Sequence, residues 1–147
     1  MKKTIIALNI RSGAGKSETI RKVFEHFEQH YPHAIITRMA NTVDVLATVE
    51  TGGYKIGFES QGDPNSRMLK QHTLEKLAKA DCHILVCACR TSGATANKVE
   101  EISARYGYHI IWKSTNYNFS LANYAVLNHY SAEEIIALIK ALYIGQL

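Results

Sequence analysis

The stretch NIRSGAGKSETI, from Asn9 to Ile20, joins two segments of different character. The run before it, TIIAL at 4–8, is apolar without polar alternation, which is typical of a strand covered on both faces. The segment after it, 17–30, has apolar residues at the spacing of an amphipathic helix: Ile20, Val23, Phe24 and Phe27. We therefore predict a strand, a glycine-containing turn and a helix in immediate succession.

A glycine-containing turn at the start of a helix is suited to binding phosphate. Glycines let the backbone curl so that successive N–H groups point inward, and the helix start adds a partial positive charge. In this turn, Lys16 would reach the outer phosphates of a nucleotide, and Ser17 would place its hydroxyl on a bridging Mg²⁺ ion. The alternative is a simple Ser-Gly turn in which Ser12 or Ser17 caps the helix.

The turn also resembles a known phosphate loop. Arg11–Ser17 (RSGAGKS) is similar to the loop of P-loop nucleoside-triphosphate-binding proteins, and most similar to that of small-molecule and nucleotide kinases, which often reads Gly-x-x-Gly-x-Gly-Lys-Ser/Thr. Ile10 stands where the P-loop pattern has its first glycine. The resemblance implies a P-loop NTPase-like fold that binds ATP with Mg²⁺. The phosphate-binding residues that it implies are Ser12, Gly13, Ala14, Gly15, Lys16, Ser17 and Glu18.

Strand-like and helix-like segments alternate along the rest of the chain. The pattern predicts further strands at 34–37, 54–59, 83–89 and 108–112, a short helix at 42–49, and longer helices at 67–80, 95–106 and 131–143. The last helix is predicted to begin with a capping box, Ser131 to Glu134. Because the strands are apolar throughout, we predict one domain, 1–147, with a three-layer α/β/α architecture and a mostly parallel five-stranded sheet. The loops after parallel strands meet at one edge of the sheet, where ligands of α/β proteins usually bind.

Acidic residues follow the third predicted strand. Glu59 ends that strand, and Asp63 lies in the turn after it. In the P-loop families, an acidic residue at the end of a neighbouring strand holds Mg²⁺ or its water, so the resemblance implies Glu59 or Asp63 in this role, with Ser17 as the other metal ligand. Glu59–Gly62 is also similar to the Asp-x-x-Gly switch of P-loop GTPases, in which Gln61 would orient water. The alternative is a tight turn with Asp63 near a helix start.

Cations and an acceptor site complete the predicted machinery. Phosphoryl transfer requires positive charge around the moving group. Arg90 leaves the fourth predicted strand at the correct edge, so we predict a catalytic set of Lys16, Glu59, Asp63 and Arg90. Arg38 ends the second predicted strand and Asp44 follows it, where kinases of this resemblance hold the acceptor substrate. Each arginine is equally compatible with a surface ion pair.

The composition argues against several other classes of protein. The net charge of +4 comes from basic residues scattered along the chain, so no nucleic-acid partner is predicted. Cys82, Cys87 and Cys89 fall on one predicted strand, which favours reduced, packed thiols. The apolar run after Lys2 and Lys3 is too short for a signal peptide, and no stretch has the length of a membrane span. We therefore expect a cytoplasmic protein without a membrane partner.

The predicted function is binding of a nucleoside triphosphate with Mg²⁺, with kinase-like phosphoryl transfer to a small molecule or hydrolysis of the nucleotide. The string Asn97–Glu100, which is similar to a guanine-recognition motif, falls in a predicted helix, so ATP is the default. Tyr117 or Phe119 could stack on its base; the alternative, which is commoner, is aromatic packing within the loop. The first alternative is a regulatory module that binds a nucleotide without turnover. The second is a scaffold whose loop binds only phosphate. The oligomeric state is left open.

Overall fold

The computed structural model describes residues 1–9, 16–114 and 121–147, which contain six strands and five α-helices. The strands are β1 (Thr4–Asn9), β2 (Ile35–Arg38), β3 (Leu46–Thr51), β4 (Tyr54–Glu59), β5 (Ile84–Cys89) and β6 (His109–Lys113). The helices are α1 (Lys16–His30), α2 (Arg67–Lys70), α3 (Thr73–Lys79), α4 (Ala94–Tyr106) and α5 (Tyr124–Tyr143), and a single 3₁₀ turn, Leu121–Asn123, precedes α5.

The strands form one sheet in the order β2-β3-β4-β5-β1-β6. Neighbouring strands are parallel from β4 to β6, whereas β3 is antiparallel to both β2 and β4. Since β2 and β4 both oppose β3, the five predicted strands run in one direction and only β3 runs against them. The α/β class is therefore confirmed, and the prediction of five strands was wrong by one.

The additional strand is β3, in the region predicted as a short helix at 42–49. Leu46 to Val49 is buried, and these residues pair with β4 across a tight turn at Gly52 and Gly53. Both glycines have positive φ, +57° and +82°, which is the requirement of a two-residue hairpin turn of the primed type. The hairpin partner, which lies beyond the segment itself, decided the conformation against the local pattern.

Helices cover both faces of the sheet, as the prediction of three layers requires. One core packs the apolar faces of α1 and α5 against β1, β3, β4 and β5, with Phe24, Phe58 and Ile135 fully buried. The second core lies on the other face and contains apolar residues of α2, α3 and α4, such as Met68 and Ile102. Within the described ranges, no helix has both the length and the apolar character needed to span a bilayer.

Two predicted helix boundaries were wrong. The helix predicted at 67–80 is divided into α2 and α3, because His72 adopts a left-handed conformation with φ of 52°. The predicted capping box at Ser131 is absent, since α5 begins earlier, at Tyr124, and Ser131 lies buried within it. A Ser-x-x-Glu sequence inside a helix is identical to that of a capping box. Only the conformation of the residues before the serine distinguishes the two cases.

The carboxyl ends of β1, β2, β4, β5 and β6 meet at one edge of the sheet, called here the carboxyl edge. The connection from Met39 to Val45 lies along this edge, because Met39 N donates to Leu46 O and Ser60 N donates to Val45 O. The loop after β4 lies over the end of β5, so closely that a Cβ on Gly62 would be 2.3 Å from the carbonyl carbon of Ala88. The connection from Met39 to Val45 and the loop after β4 surround the first turn of α1.

Candidate functional site

The first turn of α1 lies at the carboxyl edge, directly after β1. Ser17 Oγ donates a hydrogen bond to Asp44 Oδ1 at 2.5 Å and lies 3.4 Å from Ser60 Oγ. The structure therefore joins Ser17, a predicted Mg²⁺ ligand, to a carboxylate that is 27 residues away in the sequence. Other predicted residues of the loop lie outside the described part of the chain: Ser12, Gly13, Ala14, Gly15 and the side chain of Lys16, as do Ile10, Tyr117 and Phe119.

The carboxylate of Asp44 is half-buried between α1 and the loop after β4. Its second oxygen, Oδ2, accepts a hydrogen bond from Gln61 Nε2 at 3.0 Å. Asp44 was predicted to hold an acceptor substrate, and in the structure it contacts the predicted metal ligand Ser17. Gln61, which was predicted to orient water, here contacts the same carboxylate. Ser17, Asp44 and Gln61 thus form one polar cluster at the helix start.

Glu59 lies beneath this cluster and is fully buried. Both of its carboxylate oxygens accept from Arg67 Nε, at 3.2 and 3.1 Å, and Oε1 also accepts from Arg67 Nη2 at 2.9 Å. The backbone N–H of Gln61 donates to the same Oε1 at 2.9 Å. The carboxylate that was predicted as a metal ligand is therefore engaged by a buried guanidinium. Moreover, β5 lies between β4 and β1, so Glu59 is not on the strand next to the loop.

Arg67 connects Glu59 to the segment that carries Asp44. Its Nη1 donates to Thr42 Oγ1 at 2.8 Å, and its Nη2 donates to the backbone oxygen of Asp44 at 3.1 Å. Only 7% of the Arg67 side chain is exposed, which is rare for arginine and requires this set of partners. Sequence reasoning did not select Arg67, because its partners lie 8, 23 and 25 residues away and follow no local spacing.

Two other predicted catalytic residues meet at the same edge. Arg90 Nε donates to Asp63 Oδ1 at 2.9 Å; the Arg90 side chain is partly exposed and that of Asp63 is well exposed. The backbone N–H of Arg90 donates to Thr95 Oγ1 at 2.9 Å, which fixes the start of α4 relative to the end of β5. An exposed ion pair of this kind contributes little to stability, so it can be exchanged for contacts with a ligand at small cost.

A polar cleft of about 100 Å³ opens beside Asp44, between α1 and the segment 40–47. Arg38 lies at its wall, where it forms an ion pair with Glu28 and stacks over the ring of Phe24, 4.9 Å from the ring centre. The two residues predicted to hold an acceptor, Arg38 and Asp44, therefore line one cleft. Glu18, the last residue of the predicted phosphate loop, forms an ion pair with Arg21 of the same helix.

The three cysteines lie on β5 or just before it. They are buried thiols, as the sequence predicted. Burial raises the pKa of the Cys82 thiol to about 12 and that of Cys87 well above its usual value, so both remain protonated at neutral pH. Across the described residues, no group of three or more His, Cys, Asp or Glu side chains is arranged as a set of metal ligands.

A comparison of the chain with models of protein families, with curated proteins and with solved structures finds no significant match. The likeness to P-loop proteins therefore depends on the motif at 11–17 and on the position of that motif between β1 and α1.

Proposed function

We propose that this chain binds the phosphates of a nucleoside triphosphate, with ATP as the default nucleotide, at the start of α1. The observation that carries the proposal is the 2.5 Å contact between Ser17 Oγ and Asp44 Oδ1 in the first turn of the helix after β1. A helix start offers N–H groups and a partial positive charge to a phosphate. Gly13, Gly15 and Lys16 are the residue types that suit a phosphate loop at this position.

The donor atoms fit Mg²⁺. A serine hydroxyl and a carboxylate are hard oxygen ligands, which Mg²⁺ prefers to nitrogen or sulfur. Ser17 and Asp44 would both bind the ion, which would replace the hydrogen bond between them. Glu59 would not bind the ion; through Arg67 it would position the segment that carries Asp44. Mg²⁺ bound with the nucleotide would offset negative charge on the phosphates.

Phosphoryl transfer to a small molecule is the activity that we favour. The cleft beside Asp44 has room for an acceptor group, and the guanidinium of Arg38 would attract an anionic one. Arg90 lies at the same edge and would supply positive charge to the transferring group after exchanging its contact with Asp63. These roles of Arg38 and Arg90 follow from their placement at one sheet edge. They require that the ion pairs Arg38–Glu28 and Arg90–Asp63 open.

A second candidate is a regulatory module that binds the nucleotide without turnover. The hydrogen bonding of Glu59 favours this candidate. Its carboxylate accepts four hydrogen bonds, three from Arg67 and one from Gln61 N–H, and therefore cannot orient a water molecule. Gln61 likewise donates its amide to Asp44. Hydrolysis assisted by Glu59 is therefore less well supported than binding or transfer.

Calorimetric titration with Mg·ATP and Mg·GTP tests binding directly. We expect saturable binding of Mg·ATP by the wild type, its loss in Lys16→Ala, and a decrease of about tenfold or more in Ser17→Ala, which corresponds to about 1.4 kcal/mol. Lys22→Ala is the matched control, because Lys22 lies on the same helix beyond the first turn. No heat with either nucleotide, in a folded wild-type protein, would contradict the proposal.

Product analysis then separates the candidate activities. ADP formation that requires an added small-molecule acceptor would indicate transfer, and ADP formation with water alone would indicate hydrolysis. A saturated site without ADP formation, across a panel of anionic and hydroxylated acceptors, would favour the regulatory module.

A further inference from the structure

A cavity lies at the amino ends of the parallel strands, opposite the carboxyl edge. It has a volume of about 220 Å³. Its walls come from the ends of α1 and α5, from the turn between β3 and β4, and from the first residues of β5. The apolar and aromatic side chains that line it include Phe27, Tyr31, Tyr54, Ile84, Ile139 and Tyr143.

Contacts between α5 and the β3–β4 turn hold the aromatic wall in place. The rings of Tyr54 and Tyr143 meet edge to face with centres 4.4 Å apart, and the Tyr143 hydroxyl lies 3.4 Å from the Gly52 carbonyl oxygen. A Cβ on Gly52 would lie 2.7 Å from that hydroxyl oxygen, so glycine is required for this approach as well as for its positive φ. On the other side, Phe27 and Tyr31 stack at 5.1 Å. The cavity is therefore formed before any ligand arrives.

A single charged side chain lines the cavity. Lys140 of α5 is exposed at its mouth, and within the described ranges no carboxylate forms an ion pair with it. Apart from Thr51 and Gly52, the remaining lining residues are apolar or aromatic, and Met1 is one of them. A cavity of this composition complements a molecule with an apolar body and one negative charge, and it disfavours polar or cationic ligands.

We propose that this cavity binds a small amphipathic carboxylate, with its apolar chain inside and its carboxylate beside Lys140. The volume exceeds the roughly 150 Å³ in which an apolar cavity holds benzene, so a chain of roughly six to eight carbons fits. Burial of each CH₂ group should raise the affinity roughly fourfold until the cavity is filled. The proposal does not depend on nucleotide binding, because its residues lie at the other end of the sheet.

Titration with octanoate, hexanoate, butanoate and the uncharged octanol is the test. We expect octanoate to bind with one-to-one stoichiometry and the affinity to fall roughly fourfold for each CH₂ removed. Lys140→Gln should weaken octanoate about tenfold and leave octanol unchanged. Lys79→Gln is the control, since Lys79 is exposed on α3 at the other face of the sheet.

Two further measurements locate the ligand. Ile139→Phe places a larger side chain in the wall and should abolish binding of both octanoate and octanol. In the wild type, the His26 ring packs against Phe27 and Tyr31, with ring centres 5.5 and 6.2 Å apart, so octanoate should shift its NMR signals even if Ile139→Phe does not fold.

Any of three results would overturn the proposal. Absence of octanoate binding by the wild type, or binding without chain-length dependence and without a change at His26, would show that the cavity does not take such molecules. Equal losses of octanoate and octanol in Lys140→Gln would show that the lysine does not select a carboxylate.

Discussion

Removal of the Arg67 guanidinium should destabilise the protein strongly, because it leaves the Glu59 carboxylate buried without its cation. Glu59 has no exposed surface, and Arg67 supplies three of its hydrogen bonds. Breaking a buried ion pair by removing one partner costs about 3–5 kcal/mol. A domain of this size has a free energy of unfolding of about 5–15 kcal/mol, so Arg67→Ala removes a large part of it.

Urea unfolding at neutral pH measures this loss. With a slope of about 2 kcal/mol/M, the midpoint should fall by roughly 1.5–2.5 M in Arg67→Ala. Arg38→Ala is the matched control, because Arg38 is 57% exposed and its ion pair should contribute less than about 1 kcal/mol. The double variant Arg67→Ala/Glu59→Gln should recover part of the loss, because the uncompensated charge is then absent. A loss below about 1 kcal/mol in Arg67→Ala would refute the reasoning, since Glu59 would have to be solvated.

Three further predictions concern the site and its surroundings. Asp44→Asn should weaken nucleotide binding in the presence of Mg²⁺ by roughly tenfold or more and change it little in EDTA, as calorimetry would show; equal effects in both would exclude Asp44 as a metal ligand. Gly62→Ala should cost about 1–3 kcal/mol in urea unfolding, because a Cβ would overlap the Ala88 backbone at 2.3 Å; an unchanged midpoint would mean that the loop moves freely. Partial burial, and to a smaller extent the charge of His30, lowers the pKa of His26 below 6.5 in the folded protein. The stability that neutral His26 contributes is therefore present above pH 6.5 and is lost as the pH falls through its pKa in the folded state. His26→Gln should therefore lose less stability than the wild type between about pH 7 and 5, and parallel pH profiles would contradict this.

The strand β1 and the helix α1, on which the functional proposal depends, could be predicted from the sequence because their signals are local. The apolar run of β1 and the helical spacing in α1 lie within adjacent segments, and both elements are confirmed. Four more strands and α4 were recognised in the same way. Periodicity of apolar residues reports which surface an element buries, and this does not depend on the partner that covers it.

Only the tertiary structure decided which residues and strands contact one another. Leu46–Thr51 becomes a strand because β4 pairs with it, against the helix that its local pattern favoured. Glu59 resembles an accessible metal ligand in the sequence, yet Arg67 from a later helix makes it a buried ion-pair partner. Asp44 instead lies beside Ser17, because the connection before β3 lies along the carboxyl edge. A buried charge is stable only with a suitable partner, and that partner can come from any distance along the chain, so spacing in the sequence does not reveal it.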